Sequence, residues 1–169
     1  MNMKGETIIE VVVALGAGIV ILTALTLMML RSLNNATEGS SRTLATQYAQ
    51  EGVETVVKMK DSNWSTLSNL PSNTYCLASS CSSLISTAGS CGVKVSTCGA
   101  NIGTNFIREI VISQDDPKCV PPNPLSGRKF IRAVANVSYR DSNCGGSNPY
   151  CHTISVESCV TNDDKRALP

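Results

Sequence analysis

The chain is short of rings, of charge and of histidine. Aromatic residues make up 4% of its 169 positions and charged residues 16%, the latter well under the roughly 25% of a typical soluble domain. So few large rings cannot by themselves build a core. The 14 Lys+Arg nearly cancel the 13 Asp+Glu for a formal net charge of +1, which excludes a general polyanion binder. Histidine occurs once, at His152, and no two cysteines stand in C-x-x-C spacing. The paired-knuckle pattern of structural zinc is therefore missing, and no metal or cofactor is expected. Catalytic signatures are missing too: there is no P-loop, no G-x-G-x-x-G opening a helix, no H-E-x-x-H and no G-x-S-x-G. His152 could serve one of many serines as a base, with Asp141 or Glu157 orienting it. No nucleophile signature frames such a triad, so an enzyme is not expected and His152 is expected to be structural.

What the chain does have is unevenly placed. Its length suits one domain and an appendage. Val11–Leu30 carries no charge and matches the roughly 20 apolar residues that a helix needs to cross a bilayer. That run exceeds the apolar core of a removable secretory signal, so a retained anchor is the better expectation. All 8 cysteines, Cys76, Cys81, Cys91, Cys98, Cys119, Cys144, Cys151 and Cys159, follow it. An even number in an aromatic-poor domain behind a membrane segment predicts disulfides and an oxidising compartment. The C-terminal part is expected outside the cytoplasm.

A plain anchor leaves Glu10 unexplained, because a carboxylate in an apolar run is costly and normally kept only with a partner. The stretch MNMKGETIIEVVVAL resembles the class III signal of type IV pilins and pseudopilins: a short basic leader ending in Gly5, then Glu6-Thr7-Ile8-Ile9-Glu10, then an unbroken apolar helix. The resemblance implies cleavage by a prepilin peptidase between Gly5 and Glu6, and N-methylation at Glu6. It implies that Glu10 of an incoming subunit pairs with the amino terminus of its neighbour during assembly. Partners follow from it: further copies in a helical homo-polymer, the membrane, and an assembly machinery with a separate motor ATPase. Two features differ from the common family pattern: Glu6 stands where an apolar residue is usual, and no proline precedes Pro71 to kink the apolar helix.

Beyond the membrane run, Asn34–Ser41 is polar and is expected to bend or fray a helix. Arg42–Lys60 then reads as an amphipathic helix. Leu44, Tyr48, Val53, Val56 and Val57 form its apolar stripe, and Glu54 and Lys58 lie on the wet side. If both stretches join, residues 7–60 make a rod of roughly 80 Å. Ala49-Gln-Glu-Gly-Val-Glu54 leading to Asp61-Ser-Asn-Trp64 also looks like pilin-like proteins, and Trp64 is expected to plug the junction of helix and sheet. Residues 65–104, rich in Ser, Thr, Gly and Asn, read as loop with short strands. Asn105–Ser113, Lys129–Arg140 and His152–Val160 read as strands of an antiparallel meander, separated by a proline cluster and by DSNCGGSNP. The expected fold class is α+β: a long N-terminal helix, membrane-spanning then amphipathic, on a small antiparallel sheet with disulfides. Its parts are a leader 1–5, a filament-core helix 6–30, an extension 31–64 and a head 65–169.

Loop-closure entropy favours near neighbours, which predicts bridges Cys76–Cys81, Cys91–Cys98, Cys144–Cys151 and Cys119–Cys159. Arg128, Lys129 and Arg132, with Arg140 beyond, make a small basic cluster. It is read as a solvated strand face, and DNA as a partner has no other support. The sequons at Asn35, Asn63 and Asn136 are short enough to arise by chance. The functional expectation is a structural subunit of a pilus-like filament, a membrane precursor that ends at the cell surface. A secretion pseudopilin or minor pilin is the alternative within the family. A membrane-anchored extracytoplasmic binding module is the alternative outside it.

Overall fold

The computed structural model of the chain describes residues 6–81, 83–84, 91–94, 97–122, 127–141, 144–146 and 148–162, with the backbone alone of Glu6 and Thr7. The expected leader 1–5, and Gly5 with it, lies outside the described residues. Helix α1 spans Glu6–Ser62 and α2 spans Trp64–Ser68. The strands are β1 Asn73–Leu77, β2 Cys91–Val93, β3 Phe106–Gln114, β4 Phe130–Tyr139 and β5 His152–Thr161. This is the expected α+β architecture. The chain divides into two compact units, Met1–Ser40 and Ser41–Pro169.

In the first unit the large apolar side chains from Ile8 to Leu33 are each at least 54% exposed. Among the described residues α1 is the one helix long and apolar enough to cross a membrane. The polar stretch 34–41, expected to bend or fray the helix, stays helical. With no proline to remove a backbone donor, Thr37 turns its hydroxyl back onto Leu33 O at 3.1 Å and Asn34 O at 2.8 Å instead of breaking the helix. Thr23 and Thr26 do the same within the apolar run, bonding Ile19 O and Leu22 O. The hydroxyls are thereby satisfied without water, as an apolar surrounding requires.

The second unit packs residues 41–62 of α1 and α2 on one face of a sheet ordered β2-β1-β3-β4-β5, antiparallel throughout. β3, β4 and β5 are the meander expected from their alternation, each within one residue of the expected bounds. β1 and β2 lie in the stretch expected to be mostly loop. β4 alternates between the faces, with Ala133, Ala135 and Val137 buried and Arg132, Val134 and Asn136 half-buried on the other side.

The helical contact stripe differs from the expected one. Ala45, Ala49, Gly52, Val56 and Met59 are its buried line, at alternating steps of four and three. Tyr48, Val53 and Val57 flank it, and Leu44 is exposed. Of the expected stripe only Val56 lies in that line; Ala45, Ala49 and Gly52 take the places where larger residues were expected, because small ones let the backbone come close. A Cβ on Gly52 would stand 2.8 Å from Ile110 Cδ1 and 3.2 Å from both Ala135 Cβ and Arg108 Cδ. The scarce rings flank this contact in a line that crosses the sheet. Tyr48 meets Phe106 edge-on at 5.1 Å, Phe106 meets Tyr139 at 6.1 Å, and Tyr139 stacks on His152 at 5.2 Å. The last two pairs are direct cross-strand partners, the positions where ring contacts contribute most to a sheet. Trp64 opens α2 behind the Asn63 cap and is partly buried against the core, in the place expected of it.

The bridges are Cys76–Cys98, Cys81–Cys91, Cys119–Cys159 and Cys144–Cys151. The last two match the nearest-neighbour expectation together with its one long-range pair. Cys76–Cys81 and Cys91–Cys98 do not form. Their shorter loops favour them by only about 1–2 kcal/mol of closure entropy. The β1–β2 pairing decides otherwise: it sets Leu77 opposite Cys91, so Cys81 just beyond β1 reaches Cys91, and Cys76 is left for Cys98.

Candidate functional site

Two places in the molecule set a charged side chain among apolar neighbours. The first is the N-terminal stretch of α1. Glu6 begins the helix, and its side chain lies outside the described residues. Glu10 is exposed and shares a helix face with Val13, Ala14 and Ala17, at steps of three, four and seven, with Ile9 beside it. Among the described side chains from Ile8 to Leu33, the geometry sets one carboxylate on a mostly apolar, exposed cylinder. That surface has to be covered by lipid or by other helices, and within it a carboxylate is a strong preference for a cation. Gly16 and Gly18 have nothing within 4 Å of where a Cβ would stand, leaving flat ground on the same cylinder.

The second place is the junction that holds the head to its helix. Its centre is Arg108, 3% exposed, on the inward face of β3 between Phe106 and Ile110. Its Nε donates to Leu77 O at 3.0 Å, Nη1 to Tyr48 O at 3.0 Å and to Glu51 Oε2 at 3.2 Å, and Nη2 to Ala78 O at 3.3 Å. One guanidinium thus joins α1, the end of β1 and β3, with its planar donors used as a fork. Burial pushes the Arg108 guanidinium below its ordinary range, and the charge of Glu51 opposes that. The backbone of Arg108 lies one residue past the β1 ladder, which ends at Cys76 opposite Glu109. Asn101 substitutes for the missing strand, accepting from Arg108 N at 2.7 Å and donating to Arg108 O at 2.8 Å.

Arg108 was not singled out in the sequence. The signal was its parity: it falls on the same face as Ile110 and Ile112, where alternation predicts an apolar residue. The motif Ala49-Gln-Glu-Gly52 acquires a physical meaning here. Ala49 and Gly52 allow close approach, and Glu51 reaches over to the buried cation.

The other candidates separate. In the basic cluster, Arg132 is engaged by Glu157 and, at 3.4 Å, by Asp116, and Lys129 Nζ reaches Ser68 O at 3.5 Å. Glu157 is therefore bound to Arg132 rather than orienting His152. His152 instead has Nε2 2.9 Å from Asp141 Oδ2, beside the Cys144–Cys151 bridge. Asn136 accepts from Ser155 Oγ at 2.7 Å, and Asn63 accepts from Thr66 N at 3.2 Å as a helix cap. These two of the three sequon asparagines thus have structural uses. No family model, no characterised protein and no solved structure is similar enough to this chain to match it.

Proposed function

We propose that the chain is a type IV pilin-like subunit that acts by polymerising rather than by catalysis. The observation that carries this is Glu10. Among the described side chains from Ile8 to Leu33, Glu10 is the one carboxylate, on an exposed apolar stretch directly behind the Gly5–Glu6 sequence that resembles a prepilin cleavage site. In this reading the precursor is held in the membrane by α1, the peptidase cuts after Gly5, and the new amino terminus at Glu6 supplies a cation for Glu10. An incoming subunit is drawn to the position where its Glu10 meets the amino terminus of the subunit before it. The apolar faces of the helices then cover one another. A charge that is unfavourable in lipid becomes the register of assembly.

The head supports the reading in a second way. A subunit displayed outside the cell gains from bridges that limit unfolding where no cytoplasmic chaperone reaches. The Ser- and Thr-rich, bridge-stapled head favours a surface-exposed subunit over a compact secretion pseudopilin.

The test is N-terminal mass spectrometry of the protein from its own cells, without and then with reductant. The expected mature chain begins at Glu6 and is lighter than its reduced form by two hydrogens for each bridge. Electron microscopy of the same cells should show filaments that disappear in a Glu10→Ala variant while the subunit stays in the membrane. An intact Met1, or a cut near Ala36, overturns the assignment and with it the role of Glu10.

A further inference from the structure

The turn between β4 and β5 gathers side chains that neither the core nor the N-terminal helix uses. Asp141, Cys144, Cys151 and His152 each bring a ligand-type atom to one spot, and these atoms all lie within 4.8 Å of one another. Cys144 and Cys151 are bridged with a Cα–Cα separation of 5.5 Å. Asp141 Oδ1 accepts from Cys144 N at 3.1 Å, and Cys144 Sγ accepts from Cys151 N at 3.3 Å. His152 Nε2 stands 2.9 Å from Asp141 Oδ2, and the stack on Tyr139 fixes the plane of its ring. The antiparallel register sets Tyr139 opposite His152, so the β4–β5 ladder itself brings the two ends of the turn together.

We propose that this turn is a redox-gated zinc site: with the bridge reduced, Asp141, Cys144, Cys151 and His152 hold one Zn²⁺, and closing the bridge expels it. Two thiolates, an imidazole and a carboxylate are a four-coordinate, borderline-soft donor set of the kind Zn²⁺ takes. A dithiol reductant opens the gate. The S–S bond breaks, two electrons and two protons pass to Cys144 and Cys151, and the reductant leaves as its own disulfide. Zinc then displaces the two thiol protons and forms two Zn–S bonds, with neutral His152 and the Asp141 carboxylate completing the shell. In the reverse direction a disulfide oxidant takes two electrons from the thiolates, the S–S bond re-forms and the metal is released.

Geometry permits both states. Two Zn–S bonds of about 2.3 Å at a tetrahedral angle put the sulfurs about 3.8 Å apart. Rotation about the Cα–Cβ bonds reaches that separation from the present Cα spacing. The Cys144–Cys151 loop is the shortest of the four bridged loops, with a sequence separation of 7, so its opening releases the least chain entropy. The other three bridges lack the paired histidine and carboxylate: among the described residues this is the one such group.

The experiment uses the full chain in detergent micelles, reduced with a phosphine that offers no thiol to the metal, and titrated with Co²⁺ and then Zn²⁺. The reduced chain should show tetrahedral Co²⁺ absorption that one equivalent of Zn²⁺ removes, with apparent affinity about 100-fold above that of the oxidised chain. Cys144→Ser with Cys151→Ser should abolish the absorption. His152→Ala, which leaves both thiols in place, should weaken binding about 10-fold or more. Far-UV circular dichroism checks that each variant keeps its sheet. Tetrahedral absorption that survives in the double-serine variant, Co²⁺ binding in His152→Ala as tight as in the parent, or no absorption from the reduced parent chain overturns the proposal.

Discussion

Residues 6–40 and residues 41–162 obey opposite rules. In the first stretch the apolar side chains face outward, and their hydroxyl neighbours bond back to the helix backbone. In the second, residues 41–62 of the same helix bury Ala45, Ala49, Val56 and Met59 against a sheet, and bridges staple the loops. Every buried apolar residue among those described lies between Ala45 and Val160. One helix therefore contains a part whose apolar surface needs cover from outside the chain and a part that the chain covers itself. A chain anchored in a membrane through its N-terminal helix is compatible with that division, whereas a protein with one internal core would not show it.

The comparison is sharpened most by removing bridges, because they act on the second stretch alone. Chain-entropy arithmetic ranks them by loop length. Replacing Cys119 and Cys159, with a sequence separation of 40, should lower the head's stability by about 4 kcal/mol, and replacing Cys144 and Cys151 by about 2.5 kcal/mol. Chemical denaturation of each double-serine variant measures the order, and equal losses would break the entropic account.

Next comes Arg108→Met, which fills much of the volume and leaves the carbonyls of Tyr48, Leu77 and Ala78 without this donor. A loss of about 3 kcal/mol is expected. Glu51→Gln should lose under about 1 kcal/mol, since Glu51 is 60% exposed and solvent screens the pair. Comparable losses in both variants would mean that the charge, and not the carbonyl network, holds the junction.

Glycines of the same helix offer a direct contrast. Gly52→Val drives carbon into Ile110 and Ala135 and should cost about 2 kcal/mol in the head's unfolding. Gly16→Val and Gly18→Val, with open space around them, should leave the head's melting unchanged. A shift with either of the latter would contradict the separation of the two stretches.

The smallest effect is electrostatic. A backbone hydrogen bond from Lys118, aided by Arg132, holds Asp116 below the ordinary carboxylate range, and a hydrogen bond from Arg132 does the same for Glu157. Carboxylates whose folded pKa lies below the unfolded one contribute stability above about pH 4, and that contribution fades as acid protonates them. Arg132→Ala should flatten the acid limb of a melting-temperature profile and leave the neutral limb nearly in place. An unchanged acid limb would exclude this cluster as its source.

Much of this was legible from local patterns. The apolar run, the amphipathic helix, the three long strands and the even set of cysteines each depend on neighbours a few residues apart. The short strands β1 and β2 were not legible, because Asn73–Leu77 and Cys91–Val93 carry too little alternation to stand out from a Ser- and Thr-rich stretch. Arg108 was passed over because a charge in a strand reads as solvent-facing until its partners, Tyr48 and Leu77, are brought together from 60 and 31 residues away.

By itself the sequence determined where apolar surface had to be covered, and by what period, since hydrophobic burial follows side-chain spacing along one element. Only the tertiary structure decided which cysteine met which and which small residues formed the contact line. It alone placed Asp141 beside His152, because each depends on the register of strands distant in the chain. Register is set by the packing of the whole sheet against its helix, an energy that no local window contains.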